Sequence, residues 1–561
     1  MRMKTLHEKL LSMFLVIAVA ALTSCGDKKN AKNSIPRENA QAYIVGGGVA
    51  GLAAAAFLIR DGKVPGKNIH IIEELKVNGG ACDGTGDPDK HYVIRGGRMM
   101  NLPTYETTWE MLKDIPSIYT PGKSVYQEIK EFNDMIKTDA RARVIDKDKN
   151  KLDATKMDFN WRDRWDMIRL GVMSEEACGD KKINEFFSPH FFNTTFWYMW
   201  STTFAFQPWH SLLEFKRYND RFIHEFPRIN TLEGVARTPY NQYDSLVLPM
   251  QKWLEAHGVN FVMGTKVTNM SFKKDTKETT VEKIHYTQEG KGGEFKLREG
   301  DIVIATIGSM TSDSSLGSMN TPAKLITGHK DGGWSLWKTL AKDRPEFGNP
   351  SKFCDHIDES KWFSYTVTLR DPLLINKIAE WSGNEPGTGA LVTFKDSNWY
   401  HSIVVAYQPH FRNQPDNIKV FWGYGLFPDK TGNYVKKRMS DCTGEEILTE
   451  LVYTLKMEKH LPEILKSATV IPCMMPYITA QFEMRKPGDR PLVVPEGSTN
   501  LAFIGQFAEI PEDVVFTVEY SFRTAATAVY QLLGIDKEPP AIYKGGHEIG
   551  VLWDAAWTLF R

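Results

Sequence analysis

The sequence lacks an excess of charge of either sign. Its 69 Lys and Arg residues are balanced by 69 Asp and Glu residues, so the formal net charge is zero at pH 7. Because binding to nucleic-acid phosphates requires a basic excess, this balance argues against nucleic acid as a partner. The length of 561 residues is enough for roughly two or three domains with a large core.

Cysteine is also scarce, and its arrangement argues against two kinds of site. No two cysteines form a CxxC pair, so the sequence has neither a zinc-ribbon nor a thioredoxin-like motif, and we predict no metal site. The wide and irregular spacing argues against a disulfide framework in so long a chain. The six residues are Cys25, Cys82, Cys178, Cys354, Cys442 and Cys473.

The N-terminus has no hydrophobic run long enough to cross a bilayer comfortably, yet it has the pattern of a bacterial export signal. A basic start over residues 1–9 precedes an apolar run over residues 10–22. Residues 22–25 (Leu-Thr-Ser-Cys) then match the lipobox, in which small residues precede a lipidated cysteine. Cys25 is therefore predicted to carry the lipid.

These features predict a lipoprotein signal peptide over residues 1–24 and a flexible tether over residues 25–39. The lipid on Cys25 would hold the protein at a membrane surface of the bacterial cell envelope. A buried N-terminal helix or a wrongly included upstream start codon is the alternative. An unprocessed N-terminus would leave the protein in the cytoplasm.

Aromatic residues are abundant, at 12% of the chain, and many of them lie between Phe186 and Trp209. Such a cluster forms part of a core or lines a pocket for an apolar ligand. Core packing is the commoner reason, and both interpretations stay open at this point.

A nucleotide-binding motif follows the first predicted strand. Residues 42–45 form a short apolar run, the glycines of a GxGxxG motif come next, and residues 52–59 have helix-forming composition. The first glycine makes the tight turn, the second lets the backbone approach a pyrophosphate, and the third allows close packing of helix on strand. The helix N-terminus supplies N–H groups and partial positive charge. The three glycines are Gly46, Gly48 and Gly51.

An acidic residue at the end of the second predicted strand strengthens this interpretation. Residues 69–72 read as a strand, and Glu73 follows them about twenty residues after the glycines, where an acid binds ribose hydroxyls. A glycine turn without a ligand is the alternative. The acid at this spacing favours nucleotide binding.

Two later segments favour FAD over NAD as the nucleotide. Residues 301–308 form a strand that ends in small residues, as in the strand that returns to the nucleotide fold of flavoproteins. Residues 500–506, which include Gly505, form a similar strand, and residues 517–533 follow with helical composition. The chain is therefore predicted to be an α/β protein with a discontinuous Rossmann-like FAD-binding fold of the two-dinucleotide-binding-domain type.

Long insertions interrupt this fold, and insertions of this kind usually carry the substrate site. We predict an inserted α+β substrate domain and a C-terminal helical segment. The predicted divisions are the FAD-binding parts 40–105, 241–310 and 496–535, a substrate or lid region 106–240, the substrate domain 311–495 and the C-terminal segment 536–561.

Several further motifs occur along the chain. They are residues 95–100 (RGGRMM), 222–229 (FIHEFPRI), 239–243 (PYNQY), 396–399 (DSNW), 408–411 (QPHF), 421–425 (FWGYG), 504–507 (IGQF) and 510–513 (IPED). Together they resemble one family, the oleate hydratases, once called myosin-cross-reactive antigens, and the resemblance runs from about residue 40 to the end of the chain.

The resemblance implies an activity and a cofactor. Family members add water to the cis-9 double bond of oleate and related unsaturated long-chain fatty acids and form 10-hydroxy fatty acids. They require FAD although the reaction is redox-neutral. The family contains dimers and monomers, so the oligomeric state stays open.

The resemblance also implies roles for particular residues. Tyr218 corresponds to the tyrosine that is usually given the role of proton donor. Arg95, Gly96 and Gly97, in the segment that continues to Arg98, are expected to form a loop against the isoalloxazine ring, because glycine permits close backbone approach. A core tyrosine and a structural turn are the alternatives.

One motif position departs from the family pattern. Met99 stands where the family has a glutamate that orients the attacking water. Because a thioether is only a weak hydrogen-bond acceptor, the water must be held by the flavin, a backbone carbonyl or another side chain.

The fatty-acid carboxylate requires a polar end to an otherwise apolar channel. Gln242 matches the family residue assigned there, and Asn398 is a weaker match. His401 is weaker still and is expected to be an exposed loop histidine. The segment 549–561 is rich in apolar and aromatic residues, so it is expected to be an amphipathic interfacial helix or to pack on the protein's own surface.

Two other functions remain open from the sequence. The first is a flavin-dependent redox enzyme, either amine-oxidase-like or a fatty-acid double-bond isomerase. The second is a non-catalytic lipidated protein that binds FAD and fatty acids, which the methionine at position 99 makes plausible. The mass of the product separates these functions, since hydration adds one water and isomerisation adds nothing.

Overall fold

The structure, a computed structural model, describes residues 39–97, 99–274, 277–389 and 391–560. The predicted signal peptide, Cys25 and Arg98 lie outside these described residues. No helix among the described residues is both long enough and apolar enough to span a membrane. No disulfide joins the five described cysteines.

The described residues form nineteen strands, which belong to three larger sheets and two short pairings. The strands are β1 (Ala42–Val45), β2 (Ile69–Ile72), β3 (Thr85–Gly86), β4 (Tyr92–Val93), β5 (Met100–Asn101), β6 (Val144–Ile145), β7 (Val235–Ala236), β8 (Asn260–Val262), β9 (Thr265–Phe272), β10 (Val281–Gln288), β11 (Lys291–Lys296), β12 (Ile302–Thr306), β13 (Ser315–Leu316), β14 (Trp362–Leu369), β15 (Val392–Phe394), β16 (His401–Val404), β17 (Lys419–Gly425), β18 (Ala468–Met475) and β19 (Leu501–Ile504).

The same part of the chain contains seventeen α-helices, together with short 3-10 turns and one π-helical turn. The α-helices are α1 (Val49–Arg60), α2 (Glu106–Leu112), α3 (Val125–Met135), α4 (Trp161–Val172), α5 (Glu175–Cys178), α6 (Ile183–Phe186), α7 (Thr195–Phe204), α8 (Leu212–Phe222), α9 (Leu248–Ala256), α10 (Gly332–Ala341), α11 (Ser351–Cys354), α12 (Ile357–Ser360), α13 (Leu373–Ser382), α14 (Gly444–Thr454), α15 (Leu461–Ser467), α16 (Val518–Leu532) and α17 (Ile549–Phe560).

A five-stranded parallel sheet forms the Rossmann-like part, with strand order β19-β12-β1-β2-β8. Its central strand β1 is buried at all four positions, as expected for a parallel sheet covered on both faces. The helices α1 and α16 pack against each other beside it. The predicted α/β class and the discontinuous Rossmann-like fold are confirmed, because distant segments supply neighbouring strands.

A seven-stranded sheet forms the inserted α+β part, with strand order β13-β18-β14-β17-β16-β15-β6. All of its pairings are antiparallel except that of β15 with β6. The strand β6 comes from the region that the sequence assigned to a separate substrate or lid segment. That region therefore joins the inserted sheet instead of standing apart from it.

Strand β14, an interior strand of this sheet, binds the segment that leads into the loop predicted to lie near the cofactor. All eight of its residues are buried. The hydroxyls of Thr366 and Thr368 accept hydrogen bonds from the backbone N–H groups of Ile94 and Tyr92, each at 3.0 Å. The chain that enters the loop at Arg95 is thereby fixed to the inserted sheet.

The aromatic cluster of residues 186–209 forms mainly core. Phe187 and Phe191 stack with ring centroids 3.9 Å apart, and Trp200 is fully buried. Phe204, at the end of α7, instead borders a cavity described below. Trp200 lies in the core and also borders a second cavity, so the cluster is core that supplies cavity wall, and binding of an apolar ligand there stays a prediction.

Candidate active site

The GxGxxG segment adopts the conformation that its glycines permit. Gly46 ends β1 with φ of 100°, a region that L side chains rarely adopt. A Cβ on Gly51 would overlap the carbonyl oxygen of Gly46, so only glycine allows this approach of helix to strand. Gly48 is the N-cap of α1, and the first turn of that helix contains no acidic residue. The helix therefore presents its positive end to the groove beside it.

That space, the nucleotide groove, has an empty volume of about 660 Å³. It lies at the carboxyl ends of the parallel strands, where ligands bind in open α/β sheets. Residues of the first and the last predicted FAD-binding parts, 40–105 and 496–535, both border this groove. Its wall includes Gly48, Val49, Gly79, Gly80, Thr306, Gly308, Gly505, Gln506, Phe516 and Thr517.

Glu73 lies at the end of β2 beside the glycine loop. Its carboxylate accepts hydrogen bonds from the backbone N–H groups of Gly47 at 2.6 Å and Leu75 at 2.8 Å. Burial raises the pKa of Glu73, and the backbone hydrogen bonds counter this shift. A carboxylate has about four lone-pair sites, so these two bonds leave acceptor capacity for ribose hydroxyls.

The loop of Arg95, Gly96 and Gly97 joins the nucleotide groove to the inserted sheet. The Arg95 guanidinium donates to Asp83 at 2.8 Å and to the carbonyl of Gly80 at 2.8 Å. Gly96 has φ of 152°, which favours glycine. A Cβ on Gly97 would lie 3.4 Å from the indole nitrogen of Trp422. Arg95 thus fixes the loop, while the two glycines border the cavities.

A central cavity of about 630 Å³ lies between this loop, α7 and α8. It shares Phe516 and Thr517 with the nucleotide groove, so the two spaces adjoin at these residues. Its wall is mostly apolar and aromatic and includes Gly97, Met99, Tyr105, Thr202, Thr203, Phe204, Tyr218, Phe222, Trp362, Val404, Trp422 and Tyr424.

Tyr218 is the predicted proton donor, and it lies in the wall of the central cavity. Its side chain is 1% exposed, and its hydroxyl donates to the carbonyl of Val515 at 2.5 Å. Burial raises the pKa of Tyr218 well above its usual value, and the negative charges of neighbouring groups raise it further. The phenol is therefore neutral at physiological pH and retains a proton to donate.

Two further cavities adjoin the central one, and Met99 borders all three. The first, called the apolar cavity, is lined by Met100, Trp200, Ile229, Leu232, Val235 and the charged residues Glu225 and Arg228 among others. The second, called the polar cavity, is lined by Arg237, Thr238, Asn241, Gln242, Tyr407 and His410 together with Ile94, Phe132, Val404, Ala406 and Trp422.

Two carboxylates lie in cavity walls that Met99 borders: Asp83, which is paired with Arg95, and Glu225, which the sequence gave no reason to single out. Glu225 is the one without a role assigned above. It accepts two hydrogen bonds from Arg228 at 2.7 and 2.8 Å and one from Asn101 at 2.7 Å. Burial alone would raise the pKa of Glu225, but the hydrogen bonds of His224 and Arg228 lower it to about 2. Such a saturated carboxylate is a poor base, so it does not take over the role of the glutamate that Met99 replaces.

The predicted carboxylate-binding residues separate in the structure. Gln242 is buried and lines the polar cavity. Asn398 lies on the exposed turn between β15 and β16, where its amide donates to the carbonyl of Thr431 at 2.9 Å. The structure does not bring Asn398 to Gln242 or to any of the three cavities.

The expectation for His401 is wrong. It is 0% exposed at the start of β16, and its Nε2 shares a hydrogen bond of 2.5 Å with the hydroxyl of Tyr365 on β14. Burial lowers the pKa of His401 to about 3, so the ring is neutral. Its partner lies 36 residues away in sequence, which is why the local pattern gave no signal.

Arg237 and His410 are polar residues of the cavity to which the sequence analysis gave no role. His410 lies in the QPHF motif, and Arg237 lies just before the PYNQY motif. Burial, together with the charge of Arg237, lowers the pKa of His410 to about 4. The motifs were therefore an available signal for both residues.

One group of metal-ligand side chains lies outside these cavities. His329, Cys354 and Asp355 bring ligand atoms within 4.8 Å of one another. The Lys338 ammonium already pairs with Asp355 at 2.6 Å, and burial raises the pKa of Cys354 to about 12. We assign no metal to this group, because the thiolate form that binds metals is disfavoured.

The fold and these cavities define the class of protein: an α/β protein with a discontinuous Rossmann-like fold of the flavoprotein type and a mostly apolar cavity beside its nucleotide groove. The sequence comparisons define its family. The chain belongs to the MCRA family, whose sequence model matches residues 39–530.

Two relatives agree with this assignment, and a solved structure shares the fold. The chain is 39% identical to an oleate hydratase of Streptococcus pyogenes serotype M49 (strain NZ131), over 92% of this chain and 89% of the relative. It is 36% identical to a linoleate hydratase of Lactiplantibacillus plantarum, over 90% of this chain and 97% of the relative. The structure of cyclohexylamine oxidase from Brevibacterium oxydans IH-35A shares the fold, with a TM-score of 0.53 at 12% identity, covering 88% of this chain and 99% of the oxidase.

Proposed function

We propose that the protein is an FAD-dependent hydratase that adds water to the cis-9 double bond of oleate and related unsaturated fatty acids. The product is the 10-hydroxy fatty acid. The observation that carries the proposal is the buried phenol of Tyr218 in a cavity that adjoins the nucleotide groove. The similarity to an oleate hydratase and a linoleate hydratase over most of the chain supports it.

The chemistry requires a proton donor on one side of the double bond and a water on the other. The neutral Tyr218 hydroxyl transfers its proton to C9, and the water oxygen bonds to C10 and releases a proton that returns to the Tyr218 phenolate, so one water is added and no electron is gained or lost. The apolar wall of the central cavity excludes bulk water, which protects the cation-like transition state from uncontrolled quenching.

The nucleotide groove fits FAD by its backbone geometry. Gly46, Gly48, Gly51, Glu73 and Gly505 would hold the dinucleotide, with Gly96 and Gly97 against the isoalloxazine ring. When bound, the flavin supplies shape and charge at the junction of groove and central cavity. The proposal of FAD in particular rests on the discontinuous nucleotide fold, in which segments from three parts of the chain border the groove.

The attacking water binds to hydroxyl and carbonyl groups of the central cavity, because Met99 provides no carboxylate. Hydroxyl groups in its wall belong to Thr202, Thr203 and Thr517. Several neutral hydrogen bonds orient a water but remove its proton less readily than a carboxylate does, so we expect slower turnover than in a glutamate-containing relative.

The proposed activity is tested by incubating the purified protein with FAD, a reductant and oleate without oxygen, followed by mass spectrometry. Hydration adds the mass of one water to oleate. A shifted double bond without a mass change would support an isomerase instead. Unchanged oleate bound to the protein would support a non-catalytic binding protein.

We also propose that the protein is a lipid-anchored lipoprotein of the bacterial cell envelope, with Cys25 as the lipidated residue. A second contact with the membrane surface is supported by α17. This helix packs against the turn Ile223–Arg228, yet it leaves Trp553 and Trp557 52% and 62% exposed on one face. The helix thus packs on the protein's own surface, as one of the two expectations had it, and its role as an interfacial helix stays a prediction.

The helix α4 contacts the end of α17 and carries two further exposed tryptophans. Trp161 and Trp165 are 74% and 57% exposed, and the same helix places the Arg164 guanidinium against the carbonyl of Leu559 at 3.0 Å. Trp side chains have an apolar body and a polar N–H group, which suits the interface of a bilayer with water. The two helices together form the surface that we propose lies on the membrane.

A further inference from the structure

Arg217 is a buried cation on α8 that directly precedes the proposed proton donor. Its side chain is 3% exposed. In the part of the chain that the structure describes, it belongs neither to the wall of the nucleotide groove nor to that of the three cavities. A guanidinium is costly to bury unless acceptors surround it. The acceptors that Arg217 binds therefore indicate what the side chain does.

One side of the Arg217 guanidinium binds two carboxylates. Its Nε and Nη2 donate to the two oxygens of Glu175, each at 2.7 Å. Its Nη2 also donates to Glu509 at 2.8 Å. Glu175 begins α5, and Glu509 begins the stretch that we call the junction segment, residues 509–517. This segment ends at Thr517 in the wall of the nucleotide groove. Arg217 thus joins the segment to two helices.

The other side of the guanidinium faces the backbone of the junction segment. Nη1 donates to the carbonyls of Ile510 at 3.4 Å and Asp513 at 3.5 Å. These bonds are long, but the guanidinium is a rigid planar fork, so its pairing with the carboxylates fixes the direction of the remaining donors. The next residue on the helix, Tyr218, donates to the carbonyl of Val515. Helix α8 therefore contacts the segment repeatedly, up to the acceptor of the proposed proton donor.

The junction segment has a backbone conformation that needs such contacts. Glu512 and Phe516 have φ of 63° and 68°, a region that residues other than glycine rarely adopt. Conformations of this kind persist only where the surrounding structure holds them. Phe516 follows Val515 and borders both the central cavity and the nucleotide groove. The contacts that hold the segment therefore also determine where the Val515 carbonyl lies beside the central cavity.

We propose that Arg217 is a positioning residue for the hydration reaction. By fixing the junction segment to α8 it sets the place of the Val515 carbonyl, and this carbonyl holds the hydroxyl of Tyr218 where the proton leaves it. Because Arg217 does not line the substrate cavities, it acts on proton transfer and leaves substrate binding unchanged. A misplacement of about 1 Å can lower a rate about 100-fold. This inference rests on the proposed hydratase function, in which Tyr218 is the proton donor.

Two replacements of Arg217 test the proposal. Arg217→Gln removes the charge and the fork, and Arg217→Lys keeps the charge without the planar fork that reaches both carbonyls. Neither leaves a buried carboxylate without a cation, because Glu509 still pairs with Arg485 at 3.2 Å and Glu175 is 29% exposed. Both variants are therefore expected to fold, which urea unfolding and far-UV circular dichroism check.

Lys216→Met is the matched control, because Lys216 is the neighbouring buried cation on the same helix. Its ammonium pairs with Asp220 at 2.8 Å and donates to the carbonyl of Gly171 at 3.4 Å. These contacts lie within α8 and with α4, away from the junction segment. The control therefore breaks an ion pair of α8 and leaves the acceptor of Tyr218 in place.

Steady-state kinetics with oleate give the first readout. We expect Arg217→Gln to lower kcat about 10- to 100-fold with an unchanged KM, since an interaction that acts only in the transition state affects kcat alone. Arg217→Lys should show a smaller decrease, and Lys216→Met should match the wild type. A raised KM with an unchanged kcat would overturn the proposal. An equal loss of kcat in Arg217→Gln and Lys216→Met would show a merely structural role and overturn it as well.

A spectroscopic readout separates this proposal from the hydratase function. With 3-fluorotyrosine incorporated in place of Tyr218, the fluorine NMR signal of the FAD-reconstituted protein reports the surroundings of the phenol. We expect a changed chemical shift in Arg217→Gln and the wild-type shift in Lys216→Met. If the wild-type protein hydrates nothing, the hydratase function fails, but a change confined to Arg217→Gln would still support the positioning of the phenol. Identical signals in wild type and Arg217→Gln would overturn the proposal in either case.

Discussion

The hydroxyl of Tyr218 donates a hydrogen bond of 2.5 Å to the carbonyl of Val515. Val515 immediately precedes Phe516 and Thr517, the two residues that border both the central cavity and the nucleotide groove. The proposed proton donor is therefore fixed at the point where a bound cofactor and a bound olefin meet.

Replacement of Tyr218 by Phe removes this proton and leaves the ring. A positioned general acid contributes roughly 10²- to 10⁴-fold to a rate, so we expect at least a 100-fold decrease in kcat for oleate, with unchanged flavin absorbance. Formation of the hydroxy acid is followed by mass spectrometry. Tyr365→Phe is the matched control, because Tyr365 is also a buried tyrosine but lines neither the nucleotide groove nor any of the three cavities. Activity of Tyr218→Phe near that of the control would exclude Tyr218 as donor.

Replacement of Met99 by Glu introduces a carboxylate where the three cavities meet. A carboxylate accepts from water far better than a thioether, so we expect kcat for oleate to rise about tenfold or more. Met99→Gln is the control for size without charge. Loss of activity in Met99→Glu together with normal activity in Met99→Gln would mean that this position does not contact the attacking water. Absence of hydration in wild type and in Met99→Glu would count against the hydratase function altogether.

Gly51→Val is expected to abolish flavin binding, because the new Cβ would overlap the carbonyl oxygen of Gly46 and displace α1. The measurement is the flavin absorbance of the purified protein after reconstitution with FAD. Gly171→Ala on α4 is the control, since nothing lies within 4 Å of its Cβ position. A Gly to Ala change in a helix costs nothing or stabilises by about 0.5–1 kcal/mol. A fully yellow Gly51→Val protein would refute the placement of the pyrophosphate.

Acid stability should depend on Glu214, which lies one helical turn before Tyr218. Burial alone would raise its pKa, but the charges of Arg490, Arg485 and Arg217 outweigh burial and lower it from 4.5 to about 2. Because the folded-state pKa is below the unfolded value, the contribution to stability is fully present above about pH 4.5 and is lost as the pH falls towards 2. A shift of this size corresponds to roughly 3 kcal/mol.

Urea unfolding between pH 7 and pH 3 measures this dependence. Glu214→Gln should be less stable than wild type at pH 7 and should lose less stability on acidification. Glu458→Gln, at an exposed position, should follow the wild-type curve. Parallel curves for wild type and Glu214→Gln would mean that other carboxylates cause the acid sensitivity.

Binding to vesicles tests the aromatic face on α4 and α17. In a Cys25→Ala background, which removes the proposed lipid, the double replacement Trp553→Ser and Trp557→Ser should reduce flotation with phosphatidylglycerol-containing vesicles at least several-fold. Leu316→Ser is the control, because Leu316 is 52% exposed but lies on strand β13, which is not part of the proposed membrane surface. Equal flotation of the double variant and the control would show that this face does not bind the membrane.

The parts of the fold that the sequence predicts well depend on local patterns. The strands β1 and β2 have the predicted bounds, because short apolar runs next to glycine or an acid leave little choice of register. The helix α1 begins three residues earlier than predicted, since the last glycine of the motif already lies inside it. The nucleotide groove could also be predicted, because its glycines belong to the same local motif.

The rest depends on contacts between residues far apart in sequence. The burial of His401 follows from its pairing with Tyr365 across the sheet, and the joining of β6 to β15 links segments about 250 residues apart. The place of Arg237 beside His410 in the wall of the polar cavity is visible only when the whole cavity is assembled, because a lone arginine in a sequence is most often a solvated one.

Met99 borders all three cavities, so its unbranched side chain controls how a ligand passes from one cavity to another. A chain that extends from the polar cavity into the apolar one must thread past its thioether, whose three rotatable bonds let it swing aside for a kinked hydrocarbon or close on a straight one. Tolerance for different olefin shapes thus depends on the bulk and suppleness of residue 99, separately from any part this position takes in bond making.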